Sequence, residues 1–470
     1  MKRIHLLCGS FLVMFFFCLS GRTQESTSGG LYIKLGEAQK QKNLLAIPAL
    51  NYEGTTAITP KYRQYADELH NIINNDLQVL SYFQLVNPSA MEDTSKLGIK
   101  PVPAEGGFKF DSWKALKIDF LLRGSFSVVG NQLTLEMYAY HVTKEQLLMG
   151  KKYKGDIQSL RRIAHTFCND FIQTLTNQKA FFLSKIVVAS DRSGGKSREI
   201  FVMDWDNANA EKITSHRSIT LSPAWSPDGT KIAYTAYTKR AKTKAWNADL
   251  FVYDLFKAQR WLVSYRDGIN SGAEFDPDGK HIYLRVSQTG NSDLYKMTIE
   301  GDLVKKLTNG PHGAMNVEPA VSSDGRKIAF SSDRSGMPQI YIMDTDGNNV
   351  QPRIIKGSKY NSTPAWSPDG KMIAFSSYLD DHYDIYVMKT DGTYIDGNAV
   401  KRLTFARKKN GKPANNEDPT FSPDGRLIMF TSNREGKNQI YVVDPDGAEE
   451  HRITFDEYNY FKPKWSKNFD

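Results

Sequence analysis

Pro-Ala-Trp-Ser-Pro-Asp-Gly occupies residues 223–229 and returns letter for letter at 364–370. Looser copies read Ala-Glu-Phe-Asp-Pro-Asp-Gly at 273–279, Pro-Ala-Val-Ser-Ser-Asp-Gly at 319–325 and Pro-Thr-Phe-Ser-Pro-Asp-Gly at 419–425. A broken sixth, Pro-Lys-Trp-Ser-Lys-Asn-Phe, stands at 463–469. With Trp225, Phe275, Val321, Trp366, Phe421 and Trp465 at one repeat position, the intervals are 50, 46, 45, 55 and 44 residues. Self-similarity at roughly 40–50 residues is the spacing of a four-stranded propeller blade.

The sequence after each copy has the same plan. A β-rich run follows the Asp-Gly (231–235, 281–286, 327–331, 372–376, 427–431), then a polar loop and a second run such as 340–343, 385–388 or 440–443. A second Asp-Gly comes next (Asp346-Gly347, Asp391-Gly392, Asp446-Gly447), and finally Arg-Leu-Thr at 402–404 or Arg-Ile-Thr at 452–454. Strands alternating with Asp-Gly turns predict an antiparallel meander. Pro319, Pro364 and Pro419 are expected to keep the residues before them extended. Residues 185–214 supply three strands without a heptad, and 463–466 supply a heptad with nothing after it. One fragment completes the other, which predicts six blades with the first built from both ends of the domain. Closure removes exposed sheet edges.

The 470 residues, 40% hydrophobic and 12% aromatic, allow two cores. Residues 1–20 belong to neither: Lys2 and Arg3 precede a short apolar run and small residues, the pattern of a cleavable export signal. With Cys8 and Cys18 removed alongside it, Cys168 is left without an internal disulfide partner. It lies on an apolar helical stripe, where packing is its expected role. The net charge of +9 falls to +7 without Lys2 and Arg3. Basic runs at 239–244 and 407–412 fall in long repeat loops without interleaved aromatic platforms, which argues against nucleic acid.

Residues 21–30 read as a flexible leader and 31–178 as a small α/β domain, with the propeller at 183–470. In the α/β domain, strands are expected at 44–49 and 82–86, a helix opening at Thr59-Pro60, and a short capped helix at 111–116. A hairpin at 119–142 turns at Gly130-Asn131, and the helix carrying Cys168 follows.

A search for chemistry finds little. Gly194-Gly195-Lys196-Ser197 ends like a phosphate loop but has Ser190 where that motif needs glycine, and it sits between strands. No Gly-x-Ser-x-Gly is present. The nine histidines lack metal-ligand spacing. Asp344-x-Asp346 and Asp444-x-Asp446 read as turn chemistry rather than cation sites. No cofactor, no metal and no catalytic residue is expected. An enzyme reading, a periplasmic propeller hydrolase or lyase acting on envelope polymers or peptides, would need converging His or carboxylate groups in the central channel.

The Ala-Trp-Ser-Pro-Asp-Gly repeats, the Ile-Tyr-x-Met-Asp strands and Trp113-x-x-Leu116-x-x-Asp119 together resemble the TolB family of the Tol–Pal envelope system. So does the junction into Lys185-Ile-Val-Val-Ala. The resemblance covers nearly everything after the signal. It implies a six-bladed WD40-like propeller of PD40 repeats preceded by an α/β domain, in a periplasmic, monomeric, non-enzymatic adaptor. The implied partners are the peptidoglycan-associated lipoprotein Pal on the propeller and TolA-like inner-membrane protein at the N-terminal segment. Other outer-membrane proteins are further candidates. The implied role is outer-membrane integrity and constriction at division. Asn316-Val317-Glu318-Pro319 matches the family's Asn-x-Glu-Pro, whereas 266–273 lacks the family's His-Asn-Gly.

Variable loops on a rigid scaffold are where recognition belongs. On that ground the expected protein-binding residues are Glu318 and Glu417 at the channel mouth, with His312, Asn316, Arg334, Asn361, Tyr378 and Arg434 around them. Glu318 is expected to face a partner rather than to support the fold.

Overall fold

Six four-stranded antiparallel sheets follow one another around a ring in the computed structural model. It describes residues 42–55, 57–87, 91, 109–355 and 357–469; the expected signal and leader lie outside the described residues. Blade 1 joins β7 (Ser184–Ser190) and the two strands after it to the last strand, Tyr460–Asn468, which takes the innermost place. Blades 2 to 6 start at Thr220, Asn270, Asn316, Tyr360 and Asn416. The ring closes as the repeat spacing predicts.

The heptad's letters each have a physical task. Ser226 Oγ donates to Asp228 Oδ1 at 2.5 Å and accepts from Lys231 N at 2.8 Å, so the turn satisfies its own polar groups. Gly229 takes φ 71° there, a value that glycine adopts without a Cβ clash. The tryptophans tie neighbouring blades: Trp225 Nε1 donates to Lys464 O at 3.1 Å and Trp366 Nε1 to Ala320 O at 2.9 Å. An indole spans the gap between sheets and still finds its hydrogen bond.

The expectation for the residue before each proline is corrected. Glu318, Thr363 and Asp418 are not extended; their φ values are +56°, +50° and +59°. Ser222 and Lys462, also before prolines, share this at +50° and +48°, and Gly272 stands sixth at +63°. Every innermost strand slips register at this place, for example between Val317 and Ala320. The extra residue of a β-bulge bends the strand and re-aims one side chain. Here the six re-aimed residues line the central channel together.

Before the ring, β1 (Asn43–Ala46), β2 (Asn51–Tyr52) and β3 (Phe83–Leu85) join β4 (Phe120–Val129), β5 (Gln132–His141) and β6 (Gln146–Asp156) in one sheet. Helices α1 (Pro60–Gln78) and α3 (Leu160–Thr176) pack against it, while α2 (Phe110–Ala115) lies between β3 and β4. Thr59 caps α1 through Tyr62 N, as its sequence predicts. Two expectations change. Asp111 lies inside the first turn of α2, and no side chain among the described residues caps that helix. Strand β6 leaves little sequence signal, because its Gly-Lys-Lys-Tyr-Lys-Gly run is mostly exposed and does not alternate. Lysines on an edge strand discourage pairing with other chains.

The α/β unit sits on the face of the ring that carries the Asp-Gly turns, at blades 1 and 6. Its core is continuous with theirs, Phe181 meeting Trp205 and Trp465 edge-on at 5.1 and 4.9 Å. Arg426, buried in the blade 6 turn, donates to Thr176 Oγ1 and Lys179 O at 2.9 and 3.0 Å. The opposite face carries most of the longer loops, and no described residue of the α/β unit covers it.

Candidate protein-interaction face

The bulge residues bring opposite charges together across the channel. Lys462 Nζ lies 2.7 Å from Glu318 Oε1 and 3.7 Å from Asp418 Oδ1, with Lys464 3.2 Å from Glu274 beside them. Glu318 Oε2 also accepts from Thr363 N at 2.9 Å, one blade on. Burial pushes the Glu318 carboxyl up, but Lys462 and the Thr363 amide outweigh it and hold the group below the usual carboxylate range. Burial likewise opposes the charge on Lys462, and the two carboxylates overcome it. Asp418 goes the other way: its desolvation exceeds what Lys462 returns, so its carboxyl is raised.

Glu417, adjacent on the same strand, is pushed up to about 7 by burial and then by the Asp418 and Glu318 charges. The blade 6 equivalent of Glu318 is Asp418, so the expected placement of Glu417 is one residue off. Beside it stand three tyrosines of blade 5. Tyr378 meets Tyr383 edge-on at 4.9 Å, and Tyr383 meets Tyr360 at 6.2 Å. Tyr360 is 36% exposed. Rings of this kind offer large contact area at small entropy cost.

The eight expected residues therefore separate into groups. Glu417 and Tyr378 are half-buried on the loop face, and Glu318 is committed to Lys462. Asn316 and Asn361 have no exposed surface, which corrects their expected role as contacts. Asn316 Nδ2 donates to Asp293 Oδ1 at 3.0 Å, and Asn361 Nδ2 to Gln339 Oε1 at 2.8 Å, each clamping an innermost strand to the third strand of the preceding blade. Asn270 and Asn416 are buried at the same place in their blades, the latter on Asp384. Arg334 lies over Tyr341 with its guanidinium donating to Asn316, and Arg434 lies over Tyr441 and donates to Asn416 at 3.0 Å. Both arginines stack inside their own blades. His312 belongs to the short turn Pro311–Gly313, and its side chain lies outside the described residues.

Sequence reasoning missed Lys462, Asp418, Tyr360 and Tyr383. The ring was findable: Ser222, Gly272, Glu318, Thr363, Asp418 and Lys462 hold one register position ahead of the aligned heptads. Asp276, Asp278 and His281 cluster on a blade 3 turn, where Asp276 pairs with Lys296 at 2.8 Å and Asp278 with His281 at 2.6 Å. Residues 194–197 form a blade loop between strands, as expected.

A closed six-bladed ring with an α/β unit against its turn face is the architecture of a propeller scaffold. A family model for the TolB beta propeller domain matches residues 172–362 and 353–470, and one for the TolB amino-terminal domain matches 31–148. This chain belongs to the TolB family. It is 30% identical over 278 residues to the Tol-Pal system protein TolB of Desulfosudis oleivorans, covering 59% of this chain and 60% of that protein's length. It is 29% identical over 343 residues to a TolB homolog of Chlorobium luteolum, covering 72% of each. The crystal structure of TolB from Acinetobacter baumannii has the same fold, at TM-score 0.72 and 23% identity, over 93% of this chain and 99% of that one. Among the described residues, no helix is long and apolar enough to cross a membrane.

Proposed function

We propose that this chain is a non-enzymatic periplasmic adaptor of a Tol–Pal type complex, divided near residues 178–183 and binding the peptidoglycan-associated lipoprotein on the loop face of its propeller. A TolA-like inner-membrane protein engages the N-terminal segment, and the assembly supports the outer membrane and its constriction at division. The carrying observation is the division of labour between the two faces. The turn face supports the α/β unit through Arg426 and a shared core. The loop face presents Tyr360, Tyr378, Tyr383 and Glu417 around a channel mouth whose charges are already paired. A rigid, closed ring with one free face suits recognition better than turnover, because Glu318 and Asp418 are spent on Lys462.

Calorimetric titration of the purified protein with soluble lipoprotein tests the reading. One-to-one binding is expected, weakened by ~1–3 kcal/mol in Tyr383→Ala and unchanged in Lys257→Glu on the turn face. No binding by the unmodified protein, or equal losses from both variants, overturns it.

A further inference from the structure

The two faces of the ring differ in charge. Connections on the loop face carry 16 basic against 8 acidic described residues, while those on the turn face carry 5 against 15. The chain's modest net charge thus conceals a strong separation along the ring axis. A field of one sign over one face steers partners of the other sign.

Within the loop face, one cleft lies away from the channel, between blades 1 and 2. Lys196, Ser197, Arg217, Ser218, Ile219, Tyr237 and Trp246 line it, and it encloses about 520 Å3. Trp246 is 62% exposed, Ile219 41% and Tyr237 36%, so the cleft has an uncovered apolar floor. Lys196 and Arg217 are exposed at its rim, and no carboxylate among the described residues lines it. The basic run 240–245 leads directly into Trp246. Two lining hydroxyls already donate, Ser197 Oγ to Gly194 O at 3.3 Å and Ser218 Oγ to Tyr237 O at 2.7 Å, so the strongest polar groups on offer are the cations. The cleft offers an aromatic platform beside cations that have no carboxylate partner among the described residues.

We infer that this cleft is a docking site for an acidic polypeptide segment that places one apolar side chain against Trp246 and its carboxylates on Lys196 and Arg217. The inference rests on the adaptor reading and gives the loop face a second, eccentric contact. Aromatic anchors surrounded by charge are the usual carriers of interface energy. Carboxylates opposite Lys196 and Arg217 would add on-rate and orientation.

The test is fluorescence anisotropy of the full protein with a labelled peptide, Asp-Glu-Asp-Leu-Glu-Asp, across a salt series. Binding should weaken with salt, fall about 10-fold or more in Trp246→Ala, and be largely kept in Trp246→Phe. The double variant Lys196→Glu/Arg217→Glu should lose a similar factor and most of the salt dependence. Lys257→Glu should bind as the unmodified protein does. All these sites are exposed, so thermal unfolding should stay in place. Equal affinity in every variant overturns the inference. So does preferential binding of oligogalacturonate or of anionic phosphatidylglycerol vesicles that Trp246→Ala abolishes. Lipoprotein binding measured in parallel separates the two readings: peptide failure with lipoprotein binding retained removes only the cleft, and the converse removes only the adaptor.

Discussion

Glu318 is held at φ +56° between Thr363 N and Lys462 Nζ, so it works for the ring before it works for any partner. Glu318→Gln keeps an acceptor for the Thr363 amide and removes the charge facing Lys462. Chemical denaturation should show a loss of ~1–2 kcal/mol. Glu318→Arg sets a cation against Lys462 and should lose more, instead of leaving stability untouched as its sequence position suggested. At the equivalent place in blade 2, Ser222 bears a Cβ at φ +50°; Ser222→Gly relieves ~1–2 kcal/mol of left-handed strain against ~0.4–1 kcal/mol of added chain entropy, a net gain of up to ~1 kcal/mol. Glu417 supplies the pH dependence. Its carboxyl is raised to about 7, so the folded state holds the proton more tightly than the unfolded chain does. Stability from this group is full below about pH 4 and is lost as pH rises through about 7. Glu417→Gln should therefore raise the melting temperature at pH 8, equivalent to ~1–3 kcal/mol, and change little at pH 4. A variant difference that is flat with pH would remove the burial of this carboxyl from the account.

At the scale of elements, the closing strand Tyr460–Asn468 carries the largest single expectation. Trp465 Nε1 donates to Ser184 Oγ at 2.6 Å, Asn468 Nδ2 to Ala180 O at 2.7 Å, and Lys464 O accepts from Trp225. Truncation before Tyr460 should strip an edge of blade 1, orphan these groups and produce aggregation, seen by light scattering. The two identical heptads should respond unequally to valine. A Cβ at Gly229 would meet Phe469 at 2.8 Å, whereas no atom of the described residues lies within 4 Å of one at Gly370. Both sites have positive φ, so both lose stability, with Gly229→Val the worse in thermal melts. The blades were legible because Ser-Pro-Asp-Gly turns close on themselves and repeat. The bulges were not, because a proline predicts an extended neighbour when only local sterics are weighed. Channel packing in six copies overrides that preference. Buried Asn316 and Asn361 looked like loop residues for a related reason: their partners Asp293 and Gln339 lie 23 and 22 residues away.

For the whole molecule, the α/β unit and the ring share one apolar core with a charged border. His165 Nδ1 bonds Asp76 Oδ2 at 2.7 Å, and Asp206 of blade 1 accepts from Arg161 beside it. Asp206→Ala should leave Arg161 without that carboxylate and cost ~1–3 kcal/mol. Hydrogen exchange should rise in α3 before the blades. Unchanged protection in α3 would mean that the core alone holds the two units together. The sequence placed both units and their order, yet gave no sign that the plain turns of blades 1 and 6 form the seat for the first. Repeated turns read as uniform. Only the contacts of Arg426 and Asp206 distinguish them.

Closure by the last strand also sets a clock. Ser184 and Trp465 are 281 residues apart, and blade 1 lacks its innermost strand until the second of them has been made. Delivered amino terminus first, the chain presents β7 well before the strand that pairs with it. Five blades can assemble in that time while the ring stays open. The arriving chain thus carries a bare strand edge until its last strand comes in, the interval in which a holding chaperone has most to protect.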